Sequence, residues 1–286
     1  MSYSLAVDIG GTKFSLARFD GGAITHRVAH PTDRQGGPEA ILAAIEGDTK
    51  AWPQPARIGI GFGGPVDFKN QRVALSTHVE GWRDFPLVER VSQIFRGVPT
   101  IIDNDANCGA LGESLHGAGR GHLPMFYLTL STGIGGGIVL SNGDVYRGHD
   151  SWAGEIGHIV IRPDGPECLC GARGCFERAC SGLWLERDHG RPAHILLEHP
   201  AFVENYVVDL AAGLKAAVML LNPARIVIGG GIAKAGDKLF VPLRRELRRQ
   251  VTSWSRATLD VVPARLGKEP GDDSVLYGAY ELARTL

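Results

Sequence analysis

Three cysteines and a histidine lie close together in one stretch of the chain. Cys168, Cys170 and Cys175 follow the spacing Cys-x-Cys-x4-Cys, and His158 precedes them. Three thiolates and one imidazole saturate a tetrahedral zinc ion, and a closed site of this kind is structural because no position is left for a reacting water. The spacing predicts a structural zinc site, with unrelated buried thiols and a core histidine as the alternative.

Two glutamates flank this metal stretch. Glu155 lies three residues before His158, and Glu177 lies two residues after Cys175. Their carboxylates are suited to the hydroxyls of a polyhydroxylated substrate, and the nitrogen of His158 that does not bind zinc could contact such a hydroxyl. Each glutamate could instead be a surface group or a partner of a zinc ligand.

Two glycine-rich turns follow apolar strands and resemble each other. Asp8 to Lys13 offers a carboxylate, two glycines that allow close backbone approach and a threonine hydroxyl, and Ser131 to Gly137 repeats the pattern. Two such turns could hold a polyphosphate and a hydrated magnesium ion. An ordinary hairpin is the alternative for either turn alone, whereas the repeat favours two duplicated lobes. A third run, Gly229 to Gly231, could admit an adenosine against bare backbone.

A polar triplet, Asp103-Asn104-Asp105, ends another apolar strand. The carboxylate of Asp105 could accept the proton of a substrate hydroxyl while Asn104 orients the substrate. A strong base is not required, because positioning and charge neutralisation dominate phosphoryl transfer. Asp105 could instead be only a helix cap.

Alternating strands and helices must position these groups, which predicts an α/β fold. Two hairpins are predicted at the glycine turns, and breaks are expected at Gly63-Gly64-Pro65 and Asn222-Pro223. The remaining elements are strands at 57–61, 100–103 and 226–228 and helices at 38–47, 106–115 and 202–221, with one helix starting at Pro242 and a last helix after Asp272-Asp273.

Composition narrows the class of protein. The 286 residues are 44% hydrophobic, and 30 basic side chains against 31 acidic ones give a net charge of -1, which favours neither nucleic acid nor an anionic membrane as partner. Five cysteines fit a reducing compartment. No apolar run approaches the roughly 20 residues of a membrane span. A cytoplasmic protein is expected.

Taken together, these motifs resemble the ROK family of repressors, open reading frames and sugar kinases. The segments that carry the resemblance, in matching order and spacing, are Asp8–Lys13, Asp103–Asn107, Gly133–Gly137, Glu155–His158 and Cys168–Glu177. The resemblance implies an actin-like ATPase fold of ribonuclease-H-like topology, with two lobes and an active-site cleft between them. Residues 1–115 and 116–286 would form the lobes, and the final helix would pack back on the first.

The resemblance also implies an ATP-dependent kinase that phosphorylates the 6-hydroxyl of a hexose, with glucose as the first choice, and the ligands ATP, Mg²⁺ and structural Zn²⁺. Asp105 would be the catalytic base, and His158 would also ligate zinc with the three cysteines. The sugar ligands would be Gly64, Asn104, Asp105, Glu155, His158 and Glu177. The nucleotide would contact Asp8, Gly10, Gly11, Thr12, Lys13, Ser131, Thr132, Gly133, Gly230 and Gly231.

Several alternatives stay open. An N-acylhexosamine kinase, acting on N-acetylglucosamine or N-acetylmannosamine, is the second hypothesis. A non-catalytic sugar-sensing repressor would need a DNA-binding segment, and no room for one is expected before the first strand. A zinc-stabilised binding module would leave Asp105 unexplained.

The resemblance also leads us to expect a homodimer or homotetramer, but residues 186–202 form a shorter segment than the usual helical insert of the family. Ser131 and Phe62 depart from the common pattern.

Overall fold

The computed structural model of the chain describes residues 3–33, 35–76, 80–269 and 271–286. The strands are β1 (Ser4–Ile9), β2 (Lys13–Asp20), β3 (Ala23–Pro31), β4 (Arg57–Phe62), β5 (Val66–Asp67), β6 (Arg72–Val73), β7 (Thr100–Asn104), β8 (Met125–Leu130), β9 (Ile134–Val139), β10 (Arg225–Gly229) and β11 (Val261–Pro263). The helices are α1 (Gly37–Thr49), α2 (Leu87–Ile94), α3 (Asp105–His116), α4 (Phe176–Cys180), α5 (Gly182–His189), α6 (Ala193–Leu196), α7 (Pro200–Leu221), α8 (Asp237–Gln250) and α9 (Ser274–Ala283).

The chain forms two compact units, and neither is continuous in sequence. The first unit consists of Met1–Gly112, Arg147–Ala153 and Val275–Leu286, and the second of Glu113–Tyr146 and Gly154–Ser274. The predicted lobe boundary between residues 115 and 116 stays a prediction. The compact units separate inside α3, where no linker composition marks the division.

The sheet of the first unit has the strand order β3-β2-β1-β4-β7. The predicted hairpin is confirmed, because β1 pairs antiparallel with β2. Strands β4 and β7 run parallel to β1. In this register Ile9 pairs with Phe62 and Phe62 pairs with Asn104. The carboxyl ends of three parallel strands therefore meet at one edge, which is where ligands bind in open α/β sheets.

Both faces of this sheet are covered by helices. Helices α1 and α2 pack on the face that carries Val7, Ile60 and Ile102. On the opposite face small residues such as Ala6 and Ala17 let α9 approach closely. The approach is tight at Gly59, where an added methyl group would lie 1.8 Å from the carbonyl oxygen of Ala279. Strands buried on both faces explain the continuous apolar runs in the sequence.

The second unit repeats the plan of a hairpin followed by parallel strands, in the order β11-β10-β8-β9. Strands β8 and β9 form the predicted second hairpin, and β10 pairs parallel with β8. Helix α7 contributes a long apolar face to the core and ends where Asn222 adopts φ 43°, directly before Pro223. Among the described residues, no helix combines the length and the apolar character needed to span a bilayer.

Two predicted helix ends were wrong. Helix α8 begins at Asp237, so Pro242 lies inside it rather than at its start. The burial of Leu239 and Phe240 outweighs the cost of an interior proline, about 3 kcal/mol. Helix α1 continues past Gly47 to Thr49, which is buried and donates its hydroxyl to the carbonyl oxygen of Ile45 at 2.7 Å.

Candidate active site

The first glycine turn is held in a fixed shape by hydrogen bonds to the backbone of Gly10. The N–H of Gly10 donates to the carbonyl oxygen of Lys13 at 2.9 Å, and the hydroxyl of Thr32 donates to the carbonyl oxygen of Gly10 at 2.7 Å. A side chain at Gly10 would lie 2.9 Å from that same Lys13 oxygen. Thr12 and Lys13 are exposed, so their side chains can reach a phosphate.

Asp105 lies beside this first turn. A methyl group added at Gly63 would be 3.3 Å from Cα of Gly10 and 3.4 Å from Oδ2 of Asp105, so backbone and carboxylate converge there. Oδ1 of Asp105 accepts a hydrogen bond from the N–H of Ala106 at 2.8 Å at the start of α3. Asp105 therefore does act at a helix start, and its second oxygen faces the edge where β1 and β4 end.

Asn104 already has protein partners for both functional groups of its side chain. Its Nδ2 donates to the carbonyl oxygen of Gly64 at 3.0 Å, and its Oδ1 accepts from the N–H of Ala106 at 2.9 Å. The amide thus links the break after β4 to the first turn of α3. Contact of Gly64 and Asn104 with a sugar stays a prediction, and the second N–H of the amide is the group suited to it.

The first three residues of the second glycine turn, Ser131–Gly133, are held by hydrogen bonds with the segment that follows Cys175. The N–H groups of Gly182 and Leu183, at the start of α5, donate to the carbonyl oxygens of Ser131 and Thr132 at 2.7 and 3.1 Å. Oε2 of the buried Glu177 accepts a hydrogen bond from the N–H of Ile134 at 2.8 Å. The sequence predicted a sugar contact for Glu177, with a surface group or a partner of a zinc ligand as alternatives, and did not indicate this contact with Ile134.

The third glycine run lies next to the second turn. Gly230 follows β10 with φ +90°, and a side chain there would lie 2.4 Å from the carbonyl oxygen of Leu130, so glycine is required. At Gly231 an added methyl group would have no neighbour within 4 Å. Bare backbone beside open space is compatible with the predicted adenosine contact.

His158 and the three cysteines converge into a metal-binding geometry. The ligand atoms of His158, Cys168, Cys170 and Cys175 all lie within 4.8 Å of one another. Sγ of Cys168 is 3.8 Å from Nδ1 of His158, and Sγ of Cys170 is 3.6 Å from Sγ of Cys175. Bonds of about 2.3 Å to a tetrahedral zinc ion place sulfurs about 3.8 Å apart, so the donor set fits zinc.

Glu155 lies on the other side of the His158 ring. Its Oε2 is 3.9 Å from Nε2 of His158, the nitrogen that is not turned toward the cysteines. Removal from water raises the pKa of Glu155, the charge of His158 opposes that rise, and the nearby carboxylate of Glu177 adds to it. The structure thus brings Glu155, His158 and Glu177 into one electrostatic neighbourhood.

The predicted site residues fall into two sets. Within the first unit the structure assembles Asp8–Lys13, Gly64, Asn104 and Asp105. Within the second unit it assembles Ser131–Gly133, Gly230-Gly231, Glu155, Glu177 and the four metal ligands. The roles of these residues remain predictions.

Known proteins are similar to this chain over most of its length. A sequence profile of the ROK family matches residues 4–285. A glucokinase from Streptomyces coelicolor is 35% identical, and the match covers 99% of this chain and 98% of the relative. An N-acetylmannosamine kinase from Citrobacter koseri is 36% identical over 81% of this chain and 84% of its own.

Among solved structures, a ROK family glucokinase from Streptomyces griseus in complex with glucose and AMPPNP superposes with a TM-score of 0.86 at 31% identity, with both chains covered completely. The fold is therefore the predicted actin-like ATPase fold with two lobes. Since the family profile and a relative above 30% identity both span nearly the whole sequence, this chain belongs to the ROK family.

Proposed function

We propose that this protein is an ATP-dependent hexose kinase that transfers the γ-phosphate to the 6-hydroxyl of glucose. The observation that carries the proposal is the position of the Asp105 carboxylate beside the first glycine turn, 3.4 Å from the methyl position at Gly63. A base next to a phosphate-binding turn is the arrangement that phosphoryl transfer to an alcohol requires. The similarity to glucokinases over the full chain supports glucose as the acceptor.

In the proposed reaction the sugar O6 attacks the γ-phosphorus in line, and the bond from that phosphorus to the β-γ bridging oxygen breaks as ADP leaves. Asp105 accepts the proton of the hydroxyl. An ordinary carboxylate suffices, because the proton moves late in a loose transition state. The ATP phosphates need hydrogen-bond donors. Suitable donors are present at Thr12, Lys13 and the turn at Ser131–Gly133.

Two metal ions are part of the proposal. Magnesium would neutralise charge on the ATP phosphates, and Asp8 is the carboxylate in the first turn that would help to hold it. Zinc would supply a closed structural cross-link among His158, Cys168, Cys170 and Cys175. His158 would then present Nε2 toward the sugar, next to Glu155 and near Glu177.

The second candidate is an N-acylhexosamine kinase, which the similarity to an N-acetylmannosamine kinase favours. The two candidates differ at C2 of the sugar, where one acceptor carries a hydroxyl and the other an acetamido group.

The test is a coupled ADP-release assay with Mg-ATP and glucose, mannose, fructose, N-acetylglucosamine or N-acetylmannosamine as acceptors. We expect glucose to have the highest kcat/KM. A higher kcat/KM for an acetamido sugar would select the second candidate, and no turnover with any acceptor would refute both.

We also propose that the protein works in the cytoplasm as a homodimer or homotetramer. Sedimentation equilibrium of the purified chain tests the assembly, and a monomer at assay concentrations would contradict it.

A further inference from the structure

A short stretch of the chain returns to the first unit although the residues on both sides of it belong to the second. This returning segment, Arg147–Ala153, is closed on itself by a hydrogen bond from the N–H of Ala153 to the carbonyl oxygen of Arg147 at 3.0 Å. Ser151 anchors it by accepting a hydrogen bond from the N–H of Phe68 at 3.2 Å. Its first residue, Arg147, contacts a side chain of the first unit that is almost fully buried.

Arg147 forms a nearly buried ion pair with Asp103. Its Nε is 2.8 Å from Oδ2 of Asp103, whose side chain is only 4% exposed, and its guanidinium lies 3.8 Å from the centre of the Phe68 ring. A charge removed from water must be paired, because its desolvation is not otherwise offset. The pair joins residues 44 positions apart, and no local pattern in the sequence marks it.

The other oxygen of Asp103 holds the residues next to the proposed catalytic base. Oδ1 of Asp103 accepts hydrogen bonds from the N–H of Asn104 at 2.8 Å and from Nδ2 of Asn107 at 3.0 Å. Asn104 in turn bonds to Gly64 and to the N–H of Ala106. The carboxylate of Asp103 thus connects Arg147 to the end of β7 and to the first turn of α3, from which Asp105 projects.

We propose that Arg147 is a positioning residue for phosphoryl transfer, which acts through Asp103 to hold Asn104 and Asp105 in their reactive geometry. The proposal rests on the proposed function of Asp105. It assigns a catalytic consequence to a residue whose ion pair is made with Asp103, which is not among the predicted sugar, nucleotide or metal ligands. Small displacements of a reacting group change rates strongly, so the expected loss is in kcat.

The main experiment compares Arg147→Met with a matched control, Arg90→Met. Arg90 lies in the same unit, pairs with Glu39 at 2.7 Å and lies 5.6 Å from the centre of the Phe85 ring, but its side chain is 38% exposed. We expect Arg147→Met to lower kcat per folded molecule by roughly 10- to 100-fold, with a smaller change in the KM of the sugar. Arg90→Met should retain the wild-type kcat.

Two further variants separate positioning from stability. The double variant Asp103→Asn with Arg147→Met removes both charges and should unfold at a higher temperature than Arg147→Met while kcat stays low. Arg147→Lys keeps the charge and should recover part of kcat. If Arg147→Met matched Arg90→Met in kcat per folded molecule, well below the melting temperature of each, the proposal would be wrong.

A second readout does not depend on turnover. Hydrogen exchange measured by mass spectrometry should show faster exchange of the amides at 104–107 in Arg147→Met, whereas Arg90→Met should leave that peptide unchanged. Unchanged exchange at 104–107 in Arg147→Met would overturn the positioning role, whether or not the protein phosphorylates a sugar. Absence of sugar phosphorylation by the wild-type protein would refute only the proposed function.

Discussion

Glu177 accepts a hydrogen bond from the backbone N–H of Ile134 at 2.8 Å, directly after the second glycine turn. Burial raises the pKa of Glu155 and the same side chain adds to the rise, so Glu177 lies near the group of residues proposed for the sugar. One carboxylate, only two residues after the proposed zinc ligand Cys175, therefore supports a proposed phosphate-binding turn and stands near the proposed sugar ligands.

This relationship predicts that Glu177→Ala weakens the binding of both substrates. A buried N–H that loses its acceptor costs about 1–3 kcal/mol. We expect a rise of roughly tenfold, about 1.4 kcal/mol, in the Kd of an ATP analogue measured without sugar. Calorimetric titration of sugar and of nucleotide separately measures this. Glu186→Ala, an exposed glutamate on α5, is the control and should bind as wild type. An unchanged nucleotide Kd in Glu177→Ala would contradict the prediction.

Asp105→Asn should lose turnover and keep sugar binding. The amide can still accept the hydrogen bond that Ala106 donates to Oδ1, so the start of α3 is preserved. Removal of a general base costs about 10²- to 10⁴-fold in kcat. Steady-state kinetics and sugar titration measure the two effects. The control is Asp67→Asn, whose carboxylate accepts hydrogen bonds from the nearby Asn70. Retained turnover in Asp105→Asn would exclude this base.

The metal site predicts one zinc ion per chain. Cys175→Ser removes a buried ligand and should abolish zinc retention, whereas Cys180→Ser changes a buried thiol outside the cluster and should retain zinc. Elemental analysis by mass spectrometry after gel filtration measures the zinc content. Sugar affinity and thermal stability should fall with zinc content, and zinc retained by Cys175→Ser would show that this ligand set is wrong.

The pair of Asp103 and Arg147 predicts a pH-dependent stability defect. Burial raises the pKa of Asp103, and the charge of Arg147 opposes that rise. A carboxyl whose pKa is higher in the folded than in the unfolded protein destabilises the fold once it is ionised, so stability increases as pH falls through the folded pKa. The loss in Arg147→Met, about 3–5 kcal/mol for a broken buried pair, should therefore shrink on acidification.

Urea unfolding between about pH 8 and pH 5 measures this dependence. The double variant with Asp103→Asn has no carboxyl to titrate at that position, so its deficit should not shrink on acidification. A deficit of Arg147→Met that is equal at both ends of the range would contradict the interpretation.

Substitutions at two glycines test the close backbone contact made by Gly154, the residue before Glu155. Gly154 has φ +95°, and a side chain there would lie 2.1 Å from the carbonyl oxygen of Gly136, whereas Gly143 has φ +89° with nothing within 4 Å. Both alanine variants carry the same backbone strain, so their difference isolates the steric clash. We expect Gly154→Ala to lower the free energy of unfolding by about 1–3 kcal/mol more than Gly143→Ala. Equal losses in urea titrations would refute the clash.

Much of the fold followed from local patterns. Apolar runs that end in glycine turns predicted both hairpins, and Asn222-Pro223 predicted the end of α7, because these features act within a few residues. Local rules failed at Pro242, where the packing of Leu239 and Phe240 extends α8 toward its amino end. The first passage of the chain from one compact unit to the other, after Gly112, could not be read from composition, because it lies within the continuous helix α3.

The sequence by itself determined which chemistry is present: the Cys-x-Cys-x4-Cys spacing beside His158, Asp105 at the end of a strand, and two glycine turns. Each depends on residues that are neighbours along the chain. Only the tertiary structure decided that Glu177 supports Ile134 and that Arg147 pairs with Asp103, 43 and 44 positions away in sequence. Such contacts arise from strand register and burial, which bring distant side chains together without a periodic pattern that would announce them.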